Sequence, residues 1–397
     1  MRIKHVPYLL FFAIGVTGCS TNGQMSDVVP FIDVRKTYPE KEINITDFAE
    51  VSYIHFNTDD DAYLYKGSIC CATKNTFVVY DRSSHSVLFF SRDGVPKSRF
   101  NRFGQGPEEH LILDRILYDE ETDDVFLCNE NIFESNNIFI QVYSSTGEYK
   151  RKIPLPPNAM SWSLVSFDNK SLFVFAEDFH STLISPSKRK NREIDIPYTT
   201  YYRISKFNGE ILDSLKLISN EVALEIPVIS LGAAWITRYY RHVKSADGFY
   251  LCNPETDTVF YYSGDRSLTP VFHKIPLVRD QDPKVVITNV VDAGKYLFFE
   301  VQTLVLPPPQ KYYFLDKETG GIFRQKLILP DFKGKDFNIE AGSNILNSED
   351  INGYIFRLGL SELKEAYDEN SLSGKLKEMV ASLDEYKDND VFMFVRF

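Results

Sequence analysis

Residues 76–103 read TFVVYDRSSHSVLFFSRDGVPKSRFNRF, and the prediction of the fold starts from this stretch. Two runs of β-branched and aromatic residues, Phe77–Tyr80 and Val87–Phe90, each end at polar turn residues, and a third run follows the turn Asp93-Gly94. Short apolar runs separated by Asp, Ser and Gly are typical of consecutive antiparallel strands. The stretch therefore predicts a small antiparallel sheet whose strands follow one another in sequence.

The same arrangement returns along the chain at intervals of about 45 to 75 residues. The first apolar run of each copy begins at Phe77, Val125, Leu172, Phe249 and Tyr296. A further strand candidate precedes each later copy, at 116–118, 162–167, 235–240 and 285–291. Each unit therefore has four strands, and a four-stranded unit repeated at this period without a crossover helix indicates a β-propeller.

A sixth unit fits the remaining length. Residues 351–357 and 391–397 supply two of its strands, and we expect residues 51–56 to pair with them and close the ring, which removes free sheet edges. Residues 361–387 instead carry apolar side chains at helical spacing and predict a helical insertion. The predicted fold is all-β: a six-bladed β-propeller of four-stranded antiparallel blades with a small C-terminal helical insertion. Five or seven blades are the alternatives.

The N-terminal residues have the pattern of a targeting segment. A positively charged start precedes the apolar run Pro7–Val16, which is short for a membrane-spanning helix. The sequence Val16-Thr17-Gly18-Cys19 resembles the bacterial lipobox, so Cys19 is the predicted lipidation site; an ordinary secretory signal is the alternative. The predicted divisions are a lipoprotein signal peptide (1–18), a polar tether (19–30) and one propeller domain (31–397) that includes the insertion at 361–387.

The N-terminal pattern predicts a protein of the cell envelope, an outer-membrane lipoprotein that faces the periplasm or the cell surface. Its N-terminal lipid would anchor it to the membrane. The formal net charge is −11, which argues against nucleic acid as a partner. An oxidising compartment permits disulfides, and the sequence leaves the pairing state of the remaining cysteines open. We interpret them as small apolar residues packed in strands; they are Cys70, Cys71, Cys128 and Cys252.

Residues 100–110 read FNRFGQGPEEH. This motif resembles the 6-bladed β-propeller lipoproteins of gut-type Gram-negative bacteria, which carry a Gly-x-Gly-Pro-Gly-Glu-Tyr turn after the first blade and are related in fold to NHL and TolB-type propellers. Glu108 and His110 depart from that pattern. The resemblance implies a propeller that binds partners, and it assigns the motif a structural role.

The motif also predicts a backbone conformation. Gly104 and Gly106 allow positive φ angles, and Pro107 fixes the direction in which the chain leaves the turn. We expect these residues to form a tight link from the outer strand of one blade to the inner strand of the next.

Candidate chemistry is sparse. Neutral imidazoles that converge on the propeller axis would hold a divalent metal, and the candidates are His110, His180 and His242. No cofactor is predicted, because no two of these residues have ligand spacing. The acidic run Asp119–Asp124 predicts a solvated hairpin tip, with a Ca²⁺ loop as the alternative.

A second candidate site is an aromatic and basic run that would stack a sugar ring or clamp an acidic group. Its residues are Trp235, Arg238, Tyr240 and Arg241, which alternatively pack between blades. The sequence therefore favours a non-enzymatic module that binds or scaffolds a glycan, a peptide or an envelope protein. The alternative is a metal-dependent lyase or hydrolase with its active site in the axial channel.

Overall fold

The computed structural model describes residues 29–57, 61–65, 67–110, 113–129, 138–176, 198–218, 227–230, 233–236, 242–245, 247–305, 309–340 and 352–397. They form a six-bladed β-propeller of four-stranded antiparallel blades, which confirms the predicted fold class. Three strands precede the first blade: β1 (Phe31–Asp33), β2 (Glu40–Asn44) and β3 (Glu50–His55).

Blades 1 to 3 are consecutive four-stranded sheets. Blade 1 contains β4 (Gly67–Ala72), β5 (Thr76–Asp81), β6 (Ser86–Ser91) and β7 (Pro96–Asn101). Blade 2 contains β8 (Leu113–Asp119), β9 (Asp124–Asn129), β10 (Phe139–Tyr143) and β11 (Tyr149–Pro154). Blade 3 contains β12 (Val165–Asp168), β13 (Ser171–Ala176), β14 (Tyr198–Ser205) and β15 (Ile211–Ile218).

A separate hairpin, β16 (Pro227–Ser230) with β17 (Ala233–Ile236), precedes blade 4. Blade 4 contains β18 (His242–Lys244), β19 (Gly248–Leu251), β20 (Thr258–Ser263) and β21 (Leu268–Ile275). Blade 5 contains β22 (Val285–Ala293), β23 (Tyr296–Thr303), β24 (Gln310–Asp316) and β25 (Ile322–Leu329), and β26 (Phe332–Phe337) pairs with β25. In blade 6 the described strands are β27 (Gly353–Leu358), β28 (Val391–Arg396) and the N-terminal β3.

The ring closes by pairing the two ends of the chain. Strand β3 runs antiparallel to β28 along its whole length, with Val391 opposite His55 and Arg396 opposite Glu50. The predicted pairing of residues 51–56 into the last blade is therefore confirmed.

The N-terminal segment also extends two other blades, which the sequence analysis did not predict. Strand β1 pairs in parallel with β21 at the outer edge of blade 4, and β2 pairs in parallel with β25 at the outer edge of blade 5. Residues 31–44 therefore run along the outside of two blades before β3 closes the ring.

Each of six apolar clusters fills the gap between two neighbouring blades. Phe77 and Val79 of β5 face blade 6, whereas Val78 between them faces blade 2. Burial of both sheet faces explains why the strands read as continuous apolar runs rather than as alternating ones.

Two helices lie between β27 and β28, where the sequence predicts a helical insertion. Helix α1 covers Leu360–Asp368 and α2 covers Gly374–Ser382, and their buried residues Leu363, Leu376 and Val380 join the cluster between blades 5 and 6. Within the described ranges, 3₁₀ helices cover Ile45–Asp47, Asp61–Tyr63, Ser161–Ser163 and Val278–Asp280. In the part of the chain that the structure describes, no helix combines the length and the apolar character needed to cross a membrane.

The topology gives the propeller two different faces. The first strand of each blade lies nearest the axis, where β4 contacts β8 and β18 contacts β22. Since these strands start at the same end of the propeller, the links between blades and the connections between second and third strands all emerge at that end, which we call the link face. The turns that join first to second and third to fourth strands emerge at the opposite end, the turn face.

Tight turns on the turn face dock onto the preceding blade. Gly94, Gly147 and Gly209 each have φ between +76° and +85°. A methyl group on Gly94 would lie 2.1 Å from the carbonyl oxygen of His55, and one on Gly147 would lie 2.6 Å from Cβ of Phe100. Only glycine combines this backbone conformation with so close an approach.

The acidic run Asp119–Asp124 forms a hairpin tip on the same face, and its end residues Glu121 and Thr122 are exposed, as predicted. Its other carboxylates reach further than the prediction of a solvated tip implies. Asp119 accepts a hydrogen bond from Lys206 of blade 3 at 2.8 Å, and Glu120 accepts one from Thr76 of blade 1 at 2.6 Å, so the hairpin joins three blades. Asp124 forms ion pairs with Lys150 and Arg151 of its own blade.

The strand expected at residues 235–240 is described only in part, since residues 237–240 lie outside the described residues. Trp235 lies in a strand, β17, but this strand pairs with β16 outside any blade. The expectation that it opens blade 4 is wrong, because the innermost strand of that blade is β18. Aromatic residues favour strands in general, but they do not specify which neighbour a strand pairs with.

No disulfide joins the four cysteines in the described part of the chain. Burial raises the pKa of Cys70 to about 11 and that of Cys252 to about 12. These values agree with the interpretation of the cysteines as packed apolar residues, because the reactive thiolate is disfavoured.

Replacement of Gly94 by alanine tests the docking of the turns. We expect the free energy of unfolding to fall by roughly 2–4 kcal/mol, because the methyl group adds a clash with His55 to the cost of a positive φ angle. The control is Gly320→Ala, where φ is +70° but nothing lies within 4 Å, and where we expect a loss of about 1 kcal/mol. Equal losses in urea unfolding would show that docking of this turn contributes nothing to closure of the ring.

Candidate functional site

The predicted link motif connects β7, the outer strand of blade 1, to β8, the inner strand of blade 2, as the sequence predicts. Neither Gly104 nor Gly106 has a positive φ, so that part of the prediction is wrong. The Glu109 carboxylate packs on both glycines: a methyl group on Gly104 would lie 2.0 Å from Oε2 of Glu109, and the Gly106 N–H donates to the same oxygen at 2.8 Å.

The rest of the link is tied to blade 2. The carbonyl oxygen of Pro107 accepts a hydrogen bond from the buried Gln141 side chain at 3.3 Å. The Tyr143 hydroxyl donates to the carbonyl oxygen of Glu108 at 2.8 Å. These contacts give the motif a structural role, in agreement with what the resemblance implies.

His110 ends this link and is buried, with neither ring nitrogen hydrogen-bonded to a described residue. Burial and the nearby His85 together lower the pKa of its imidazole to about 4. His110 is therefore neutral at neutral pH.

His242 lies in the core between blades 3 and 4. Its ring packs edge-on against four aromatic rings, those of Phe173, Phe175, Tyr201 and Phe249. Complete burial lowers its pKa to about 3, although a hydrogen bond to the Ser163 backbone acts in the opposite direction. This surrounding is that of a core histidine.

The remaining predicted site residues are placed only in part. Trp235 lies in β17, opposite Val228, and the predicted metal ligand His180 lies outside the described residues. Arg238, Tyr240, Arg241 and Cys19 also lie outside them. Among the residues that are described, no three His, Cys, Asp or Glu side chains are grouped so that they could hold a metal ion.

The sequence analysis missed a row of polar side chains that crosses blade 5. Glu300 of β23 lies opposite Asn289 of β22 and opposite Tyr312 of β24. The next strand adds Gln325, which hydrogen-bonds both the N–H and the carbonyl oxygen of Ile339. The row therefore faces the chain segment that leads into blade 6.

We call Asn289, Glu300, Tyr312 and Glu340 the Glu300 site. Asn289 and Glu300 are only 7% and 5% exposed, whereas Tyr312 is half-buried and Glu340 is exposed. The site therefore extends from the surface to a carboxyl group inside the blade boundary. Its sequence signal is a single Glu within the apolar run Leu297–Val301.

The electrostatics of the Glu300 site are acidic throughout. Burial raises the pKa of Glu300, and the neighbouring charge of Glu340 raises it further, while hydrogen bonds from Asn289 and Thr288 oppose the shift. Burial and the charges of Glu340 and Glu300 also raise the pKa of the Tyr312 hydroxyl. Hydrogen-bond acceptors and negative charge dominate this site.

The comparisons with known proteins agree on the fold. A family model described as "6-bladed beta-propeller" matches residues 20–195. A Bacteroides fragilis protein described as exported superposes with a TM-score of 0.57 at 14% identity, over 92% of this chain and 99% of that one. At this identity the similarity shows the fold alone.

Other solved structures are less similar. An uncharacterized Listeria monocytogenes protein has a TM-score of 0.33 at 7% identity, over 81% of this chain and 77% of its own. Pyrococcus horikoshii acylaminoacyl peptidase has a TM-score of 0.31 at 11% identity, over 81% of this chain and 50% of its own. No curated protein matches the sequence.

The buried His242 predicts a loss of stability in acid. Below about pH 6.5 the unfolded chain binds a proton at this side chain, whereas the folded protein does so only near pH 3, so the free energy of unfolding falls as the pH falls through that window. We expect His242→Phe, measured by urea unfolding from pH 7 to pH 4, to reduce this slope by up to about 1.4 kcal/mol per pH unit.

A matched control separates titration from packing. Phe126→Leu opens the core between blades 2 and 3, away from His242, and should lower stability at every pH without a change of slope. An unchanged slope in His242→Phe would contradict the assignment of this histidine as a proton-linked core residue.

Proposed function

We propose that this protein is a lipid-anchored binding module of the bacterial envelope whose link face recognises a glycan, a peptide or a protein partner. The observation that carries the proposal is the difference between the two faces. Tight glycine turns and ion pairs occupy the turn face. Long connections, including helices α1 and α2 and the hairpin β16–β17, belong to the link face.

Recognition surfaces are usually built on loops that a rigid scaffold positions, because loops tolerate change without loss of the core. The link face has this construction. The link that contains Gly104 and the hairpin that contains Trp235 both belong to connections at this face.

The envelope location is supported by the N-terminal sequence and by the fold shared with a protein described as exported. Described structure begins at Val29, and β1 is docked on blade 4 from Phe31 onward. A lipid at Cys19 would therefore hold the propeller by the outer edge of blade 4. The metal-dependent lyase or hydrolase stays a prediction, since one of its candidate ligands, His180, lies outside the described residues.

Ligand screening tests the binding role. The chain from residue 20 onward would be screened against glycans, peptides and divalent metals by thermal shift, because a ligand that binds only the folded state raises the melting temperature. We expect a glycan or peptide hit whose affinity falls at least tenfold in Trp235→Ala. The control Phe207→Ala, at a 75% exposed residue of the turn face, should bind like the parent. A hit that only Phe207→Ala abolishes would contradict recognition on the link face.

Membrane fractionation tests the anchor. Replacement of Cys19 by serine removes the thiol that would carry the lipid, so we expect the protein to move from the membrane fraction to the soluble fraction. The control Cys70→Ser changes a cysteine inside the propeller and should leave the protein in the membrane fraction. If Cys19→Ser stays with the membrane, the anchor proposal is wrong.

A further inference from the structure

The fold does not require a carboxylate at position 300. Along the second strand of each blade, successive residues face the preceding and the following blade in turn. By this alternation, Glu300 corresponds to the fourth core residue of the second strand in the other blades. At that position blades 1 to 4 carry Tyr80, Cys128, Phe175 and Cys252. Burial of a carboxylate costs free energy unless a partner compensates it. Glu300 therefore needs an explanation other than packing.

The side chain of Asn289 indicates that the site lacks one hydrogen-bond donor. Its Nδ2 donates to Glu300 Oε2 at 2.5 Å and to Thr288 Oγ1 at 3.3 Å, which fixes the direction of the amide. Its Oδ1 is buried and has no hydrogen-bond partner among the residues that the structure describes. A buried acceptor without a donor costs roughly 1–3 kcal/mol, so a ligand that donates hydrogen bonds here would recover that cost.

The other two members of the site add a second acceptor and a ring. Glu340 places a second carboxylate at the exposed end, and the half-buried Tyr312, whose hydroxyl donates to Oε1 of Gln310 at 3.1 Å, adds an aromatic ring. An ammonium group has three donors and no acceptor, and it is attracted both to carboxylates and to aromatic faces. Among the described residues, no three His, Cys, Asp or Glu side chains are grouped here as they would be around a calcium ion.

Resting on the proposed binding role, we infer that the Glu300 site binds a primary ammonium group, carried by a lysine side chain or by an amino sugar. Glu340 attracts the cation at the surface, and Glu300 with Oδ1 of Asn289 receives its N–H donors inside. The formal net charge of −11 favours the approach of a cationic ligand.

The test uses paired probes that differ only in charge. Nα-acetyl-lysine methylamide would be compared with its Nε-acetylated form, and glucosamine with N-acetylglucosamine, by isothermal titration and saturation-transfer NMR. We expect one of the two ammonium probes to bind and its acetylated partner not to bind. The probe that binds identifies the source of the ammonium group.

Three variants locate the binding. Glu300→Gln and Glu340→Gln should each weaken the ammonium probe at least tenfold. Glu318→Gln makes the same charge change at a 69% exposed side chain on the turn face of blade 5 and should bind like the parent. The melting temperature of Glu300→Gln should be no lower than that of the parent, because the substitution removes a buried charge. Glu340→Gln changes an exposed residue, so it still tests the inference if Glu300→Gln misfolds.

Several results would overturn the inference. Two concern the probes: the charged and acetylated forms bind equally, or neither ammonium probe binds at millimolar concentration. Two concern the site: Glu300→Gln and Glu340→Gln both bind with parental affinity, or equimolar calcium chloride displaces the probe. A screened ligand that depends on Trp235 but not on Glu300 would leave the proposed function in place and remove only this inference.

Discussion

Every blade of this propeller is buried on both faces, and the rest of the structure depends on that constraint. Successive residues of β5 face different blades, Phe77 toward blade 6 and Val78 toward blade 2. A row of such sheets would leave an apolar face at each end, at a cost of about 25 cal/mol for each Å² left in water. Only a closed ring removes both ends, so the pairing of β3 with β28 is a condition of stability for all six blades.

The two faces of the closed ring also differ in the connections that they carry. On the turn face, glycine turns and ion pairs such as Lys206–Asp119 bring neighbouring blades into direct contact. Short turns packed in this way leave no room for insertions. Long connections are accommodated at the link face, where helices α1 and α2 could be inserted into blade 6 while β27 and β28 still pair. Among the described connections, the long ones are therefore concentrated at the link face.

The fold could be predicted because its signals are local. Each strand run and each turn such as Asp93-Gly94 lies within a few residues of its partner, so the repeat and the blade number follow from the chain itself. The parallel pairing of β1 with β21 could not be predicted, since the partners lie more than 230 residues apart and no turn fixes their register. The same reason explains the error at Trp235, where strand propensity was correct but the pairing partner was not.

The candidate site was less predictable for a related reason. Aromatic residues, histidines and glycine motifs attract attention in a sequence, yet His242 and Gly104 serve packing here. Glu300 gives a weaker signal, one acidic residue in an apolar strand, and its meaning depends on cross-strand neighbours that only the register reveals. A buried polar residue that lowers the stability of the core is better evidence of function than a conspicuous residue that fits the core. Selection for packing alone would replace such a polar residue with an apolar side chain.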